Sequence, residues 1–282
     1  MCRLCCLCLI LASGVVFAGM AQTAALEAKA EKARAALAEE RFEEAARLYA
    51  ELVKSSPNSP ALRLALAVAE QGCGRYAKAV EQLRMVLHHD PKFRGAWKLL
   101  AENLERLGDM GKAVDAYEQA LKLEPSRLDL QLALASAYRK AGRPEQAADL
   151  FLHAARVDPT EVRIWHGLGL AYIDLARTTR ASLPPGPPWN QRFAQPPPEK
   201  PDCPGDSLEC RFARGEHWQL LDASRNDRSS EALYWQVRAY LALARRAFEQ
   251  LADLPASPDT RPLFREAEHL YSQNDLALLE KP

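Results

Sequence analysis

The chain lacks the residue patterns on which most enzymes are built. It has no H-E-x-x-H sequence and no glycine-rich phosphate loop, and past residue 8 it has no paired C-x-x-C motif. Gly72-Cys73-Gly74 and Gly167-Leu168-Gly169 bring glycines together. Neither lies between a strand and a helix, so neither is a dinucleotide fingerprint. No segment reads as a β-strand. The charge excess that would draw nucleic acid or an anionic membrane is also missing, since 37 Lys and Arg balance 37 Asp and Glu. The six histidines are scattered at 88, 89, 153, 166, 217 and 269. His88-His89-Asp90 invites a metal reading, but adjacent helical residues point about 100° apart and seldom ligate together. A histidine in the last turn of a helix is also favoured by the macrodipole alone. No cofactor, metal or small-molecule substrate is expected.

What is present is a beat. Prolines stand at 57, 91, 125 and 159, each 34 residues after the last. Glycines at 74, 108 and 142 keep the same spacing, as do alanines at 45, 79, 113 and 147. Ring residues fall at 49, 117 and 151, with Leu83 on the missing beat. Self-similarity at a fixed period of this length means stacked copies of one supersecondary unit.

The copy at 94–127 shows what that unit is. Trp97, Leu100, Ala101, Leu104 and Leu107 follow the 3-and-4 spacing of an amphipathic helix. Gly108 stops that helix, being able to take positive φ after the last turn. A second helix carries Ala113, Ala116, Tyr117, Ala120 and Leu121 on one face, and Pro125 ends it. The alanines let neighbouring helices approach closely, and the ring residues fill the gaps beside them.

This pattern resembles the tetratricopeptide repeat (TPR). Trp97, Leu100, Gly108, Ala113, Tyr117, Ala120 and Pro125 sit at its consensus spacing. The copy at 128–161 offers Leu134, Tyr138, Gly142, Ala147, Phe151, Ala154 and Pro159. The copy at 60–93 keeps Leu66, Gly74, Ala79, Leu83 and Pro91. The copy at 26–59 has Phe42, Ala45, Tyr49 and Pro57 but Glu40 in place of the turn glycine. A partial fifth, 162–177, opens with Trp165, Leu168, Gly169 and Tyr172. The resemblance implies an all-α fold, a right-handed α-solenoid of helical hairpins, with a concave face that holds a peptide or partner protein. Carried onto this chain, that face comprises Arg34, Lys98, Glu102, Arg139 and His166, with apolar Leu64, Val68, Leu132 and Ile173 between them. Glu102 and Ser136 stand where a carboxylate clamp of the family would need asparagines.

Both ends depart from the repeat. Arg3 precedes an apolar run from Leu4 to Phe17 and then small residues, the layout of a secretory signal peptide over residues 1–21. Cleavage is expected after Ala21, with Ala18 the alternative; uncleaved, the segment would be a membrane anchor. An exported bacterial protein of the periplasm or cell envelope is expected from that reading. After Ala176 the beat fails, and residues 178–206 hold nine prolines with almost no apolar periodicity. Such a segment is expected to stay extended or disordered. It interrupts the fifth hairpin, whose second helix must therefore come from further along the chain. Residues 207–282 read as degenerate repeat-like helices: a short hairpin turning at Gly215, a long helix over 229–253 and a last one near 261–273. Leu276, Leu278 and Leu279 are expected to fold back onto the preceding helix.

Three cysteines remain beyond the apolar run. Cys203 and Cys210, seven apart in a chain expected to be exported, are expected to form a disulfide, one that would restrict the unfolded chain by about 2–3 kcal/mol in the entropy model. Cys73 reads as a small buried residue and not a nucleophile. The leading functional reading is a non-enzymatic scaffold that binds a protein or peptide. The alternative is an enzyme or enzyme subunit with its chemistry at Cys203, Cys210, His217 and Asp222.

Overall fold

Apolar stripes at helical spacing, cut at intervals by glycine and proline, fold as a succession of helices. The computed structural model describes residues 24–185, 187–196, 203 and 205–280. It divides into two units, one ending at Glu124 and the other beginning at Pro125. The first holds α1 (24–38), α2 (Phe42–Ser55), α3 (Pro60–Gly72), α4 (Tyr76–His89), α5 (Ala96–Arg106) and α6 (Met110–Leu123). The second holds α7 (Leu128–Lys140), α8 (Pro144–Val157), α9 (Val162–Ala181) and α10 (Pro187–Ala194). Then come α11 (Leu208–Ala213), α12 (His217–Ser224), α13 (Ser230–Ala252), α14 (Arg261–Tyr271) and α15 (Asp275–Glu280). No strand occurs among the described residues. The expected signal segment, 1–21, lies outside them.

The hairpins succeed one another in chain order, each helix packing on the next from α2 to α6 in the first unit and from α7 to α9 in the second. The repeated alanines at 45, 79, 113 and 147 are fully buried, and Tyr49, Leu83, Tyr117 and Phe151 are nearly so. Gly74, Gly108 and Gly142 close the first helix of their hairpins at φ of +72°, +79° and +72°. Glu40 makes the same turn at φ +56°. An L-residue with a side chain pays roughly 1–2 kcal/mol for that left-handed conformation, so the missing glycine is a local weakness and not a break in the pattern.

A second periodic device joins the hairpins. The carbonyl of each beat proline accepts a hydrogen bond from a side chain six residues later. Arg63 Nε reaches Pro57 at 2.8 Å, Trp97 Nε1 reaches Pro91 at 2.7 Å, Gln131 Nε2 reaches Pro125 at 2.9 Å and Trp165 Nε1 reaches Pro159 at 2.8 Å. Each of these carbonyls stands two residues past the end of a helix, outside its hydrogen-bond ladder, and a side chain of the following helix satisfies it.

The second unit breaks the regular plan after α8. Helix α9 runs for 20 residues and packs along the 23-residue α13, the late partner that the interrupted fifth hairpin requires. Two glycines of α9 make room. A Cβ on Gly169 would fall 2.2 Å from the Phe248 ring, and one on Gly167 would fall 2.3 Å from the Phe151 ring. These are close-approach glycines with a packing role.

The Pro-rich stretch is not extended throughout, as its composition suggests. Helix α9 continues to Ala181, and Pro187–Ala194 forms α10. Pro187 and Pro188 occupy the first turn, where a missing amide hydrogen costs nothing. Phe193 is 1% exposed, with its ring 4.9 Å from that of Tyr234. One buried ring thus gives a proline-rich segment something to bury. Residues 186, 197–202 and 204 of the stretch lie outside the described residues.

The fully buried Arg238 of α13 ties this segment to the C-terminus. Its guanidinium donates to the carbonyls of Arg192 and Gln195 near the end of α10, to the Tyr234 hydroxyl, and to the carboxylate of Asp275 at the start of α15. Arg245 holds the other oxygen of Asp275 at 2.6 Å. Such a buried charge is tolerable only because its donors are satisfied. The tail folds back, but against α9 and α10 where the sequence suggests the preceding helix, and Leu278 is buried.

Candidate functional site

The residues expected to form one binding face have different surroundings in the two units. In the first unit Leu64 and Val68 of α3 are half-buried, and Lys98 and Glu102 of α5 are each about one-third exposed. Lys98 and Glu102 pair loosely at 3.8 Å, one helical turn apart. Arg34 on α1 is exposed and bonded to Glu31 at 2.6 Å. Behind this face Asn103 Nδ2 donates to Gln71 Oε1 at 3.1 Å and to the Leu99 carbonyl at 2.7 Å, joining α3 to α5. Apolar spots between solvated charges suit an extended or helical peptide.

In the second unit the expected open face is covered. Leu132 is 6% exposed and Ile173 only 1%. His166 is buried as well, and its Nε2 lies 3.0 Å from the Glu266 carboxylate on α14. Arg139 is engaged by Asp174 at 3.1 Å. Asp174 also faces Arg177 at 3.6 Å, and Arg177 Nε donates to the Leu278 carbonyl on α15 at 2.9 Å. The physical reason is the C-terminal third: α14 and α15 pack on α9. Leu132, His166 and Ile173 are therefore internal contacts of this unit and not an exposed groove, while Arg139 stays half-buried and held by its ion pair. Burial holds the His166 imidazolium pKa below its ordinary value, although Glu266 works against that shift.

The residues of the insertion come together as structure. Cys203 and Cys210 are joined by a disulfide with their Cα atoms 5.2 Å apart. Arg214 folds the loop around itself, donating to the carbonyls of Cys203 at 3.1 Å and Gly205 at 2.7 Å while pairing with Glu216. His217 packs its ring 5.0 Å from that of Phe212, and burial lowers its pKa. Asp222 is exposed and pairs with Arg225 at 3.3 Å. With both sulfurs bonded to each other, neither is a thiolate nucleophile. Cys73 is a free thiol whose pKa is raised by burial, the opposite of an activated cysteine. The His88 and His89 rings are 5.9 Å apart at 66°. Among the described residues no group of three or more His, Cys, Asp or Glu is placed to hold a metal.

The proline-carbonyl donors and the Arg238 hub are not evident from sequence reasoning. Arg63, Trp97, Gln131 and Trp165 differ in type and share only a side-chain N–H at one phase of the repeat. That shared donor is the available signal. Arg238 offers none, because its partners come from three separate segments of the chain.

Comparison with known proteins agrees with this geometry. A tetratricopeptide-repeat family profile matches residues 36–102 and 105–171. No curated protein matches the chain. Among solved structures, a MamA protein crystal structure is 16% identical, with a TM-score of 0.53 over 83% of this chain and 98% of that one. A MamA fragment (41 to the end) from Desulfovibrio magneticus RS-1 is 18% identical, with a TM-score of 0.50 over 72% of this chain and 97% of that one. At such identities the likeness is one of fold. Helical hairpins in chain order, the 34-residue beat and the matched profile agree: residues 36–171 of the chain are built of tetratricopeptide repeats.

Proposed function

We propose that the chain is a non-enzymatic scaffold that holds a peptide or protein partner on the first-helix face of its N-terminal hairpins. The observation that carries this reading is the partly exposed set Leu64, Val68, Lys98 and Glu102 on α3 and α5, on a repeat family whose business is protein interaction. Arg34 adds an exposed charge on α1. The alternative, chemistry at Cys203, Cys210 and His217, has no free thiol while the disulfide is intact.

We also place the scaffold outside the cytoplasm, in a bacterial periplasm or cell envelope. The apolar run after Arg3 supports an export signal, and a structural disulfide suits an oxidising compartment. Among the described residues no helix is long and apolar enough to cross a membrane.

The test is site-specific photocrosslinking in intact cells, with the crosslinker at Val68 or Lys98 and, for comparison, at Ile173. Adducts to one defined envelope protein from positions 68 and 98, but not from 173, are expected. Adducts from all three positions to the same protein would overturn the assignment of the face. The protein should leave the cell with the periplasmic or envelope fraction; recovery in the cytoplasm would overturn the location.

A further inference from the structure

Within the second unit a cleft of about 710 Å³ opens between α8, α9, α12 and α13. Tyr172 and Leu175 of α9 line it with Tyr240 of α13, and Trp218 of α12 stands at its edge. Trp218 is 47% exposed, with its ring edge-on to Tyr172 at 5.9 Å. A half-exposed tryptophan beside the buried Tyr172 ring presents an aromatic surface of the kind that anchors partners.

The charges around the aromatics are sorted. Glu145 and Asp149, one helical turn apart on α8, form one wall. Neither makes an ion pair among the described residues. Glu145 sits in the first turn of α8, where the macrodipole favours a carboxylate; Asp149 one turn on is a like charge that repels it. On the opposite rim Arg225 is engaged by Asp222, whereas Arg228 makes no ion pair among the described residues. The cleft thus offers two unpaired carboxylates beside an aromatic floor, and one unpaired guanidinium across from them.

The wall that bears Trp218 is built in and does not hang loose. The Ser224 carbonyl at the end of α12 accepts from Gln236 Nε2 of α13 at 2.6 Å, and the buried Ser224 hydroxyl donates to the Leu220 carbonyl at 2.8 Å. Upstream, the Cys203–Cys210 disulfide and Arg214 fix the entry to α11. The interrupted repeat therefore holds a helix over a furrow between α8 and α13.

We infer that this cleft is a second peptide-binding site, one that takes an arginine of an extended partner segment, with its guanidinium at Glu145 and Asp149 and its stem along Trp218, and an acidic residue of the same segment at Arg228. Guanidinium is the cation that fits, because it stacks on aromatic faces and pairs with carboxylates in two-pronged fashion. The charge pattern also sets polarity: the cation binds on the α8 side and the anion on the rim. This site is separate from the face on α3 and α5, and either can fail without the other.

The probe is acetyl-Arg-Ala-Glu-amide titrated into the full chain, monitored by NMR at the tryptophan indole N–H resonances and by calorimetry. A saturable shift of the Trp218 resonance is expected. Replacing the probe's arginine by citrulline, which keeps the shape and removes the charge, should weaken binding by about tenfold or more. Asp149→Asn and Glu145→Gln, both conservative changes at exposed positions, should weaken it similarly, and Lys98→Glu should leave it unchanged. The inference is overturned if the shift does not saturate, if the citrulline probe binds equally, or if Lys98→Glu abolishes binding while Asp149→Asn does not. The last outcome would send the peptide to the first unit's face instead.

Discussion

Helices α3 and α9 open alike and end differently. Each begins just after a beat proline whose carbonyl it binds, through Arg63 in one case and Trp165 in the other. Helix α3 stops after 13 residues, just before Gly74, and its partner α4 starts at once. Helix α9 meets no such glycine, runs for 20 residues, and waits for α13. One repeat signal thus yields two outcomes, decided by the chain downstream of the helix. Where the partner is immediate, as in the first unit, the hairpin face keeps half-buried residues such as Leu64 and Val68. Where the partner is late, the extra chain returns over α9 and buries Ile173 and His166.

The second unit depends most heavily on Arg238. Arg238→Ala leaves Asp275 buried with one of its two cations gone and releases α10 and α15 together. A loss of about 3–5 kcal/mol is expected, the usual cost of removing one partner of a buried pair. Hydrogen exchange should rise over 187–196 and 275–280 and stay unchanged over α2 to α6. Equal loosening in both units would show that the hub is not local to the second.

Glycine substitutions sharpen the contrast at smaller scale. Gly169→Ala pushes a Cβ into the Phe248 ring and should cost about 1–3 kcal/mol by overpacking. Phe248→Leu in the same chain should recover part of that loss. Gly108→Ala meets no neighbour, but its φ is +79°. It should cost about 1 kcal/mol through backbone strain, and no change in a neighbouring side chain should rescue it. Denaturant melts of the three variants separate the two causes.

Acid should also tell the units apart. The pKa values of His166 and His217 are lowered, chiefly by burial, and both residues lie in the second unit. The unfolded chain then binds more protons than the folded one. The stability these histidines contribute is present above their unfolded pKa near 6.5 and is lost as pH falls through their lower folded values. Melting at pH 7.5 and pH 5.5, with exchange read by segment, should show the second unit losing protection first. His166→Gln should flatten part of that dependence. The smallest effect is expected in the first unit: Glu40→Gly relieves the +56° turn and should stabilise by up to about 1 kcal/mol, seen as a raised Tm.

The hairpins are legible in the sequence because their signals are local. Pro57, Gly74, Ala79 and Leu83 each act within one turn or one helix contact, so spacing alone places them. The late arrival of α13 is legible too, from an unpartnered fifth helix and a long amphipathic stretch downstream. Helix α10 is not, since proline content masks what one buried ring, Phe193, can anchor. The face residues divide the same way. Leu64, Val68, Lys98 and Glu102 keep partial exposure, but Leu132, His166 and Ile173 do not. Repeat phase says which way a side chain faces; it does not say what returns to cover it. That depends on Glu266 and Leu278, which lie 100 and 101 residues along the chain from His166 and Arg177, the α9 residues they meet.

The most direct test of this account is the relative accessibility of the two faces. Single cysteines at Leu64→Cys and Ile173→Cys, in a Cys73→Ala background with the disulfide intact, can be alkylated under native conditions. Ready labelling is expected at 64, and labelling at 173 only when denaturant or removal of the chain beyond Leu254 uncovers α9. Equal native labelling at both positions would contradict it.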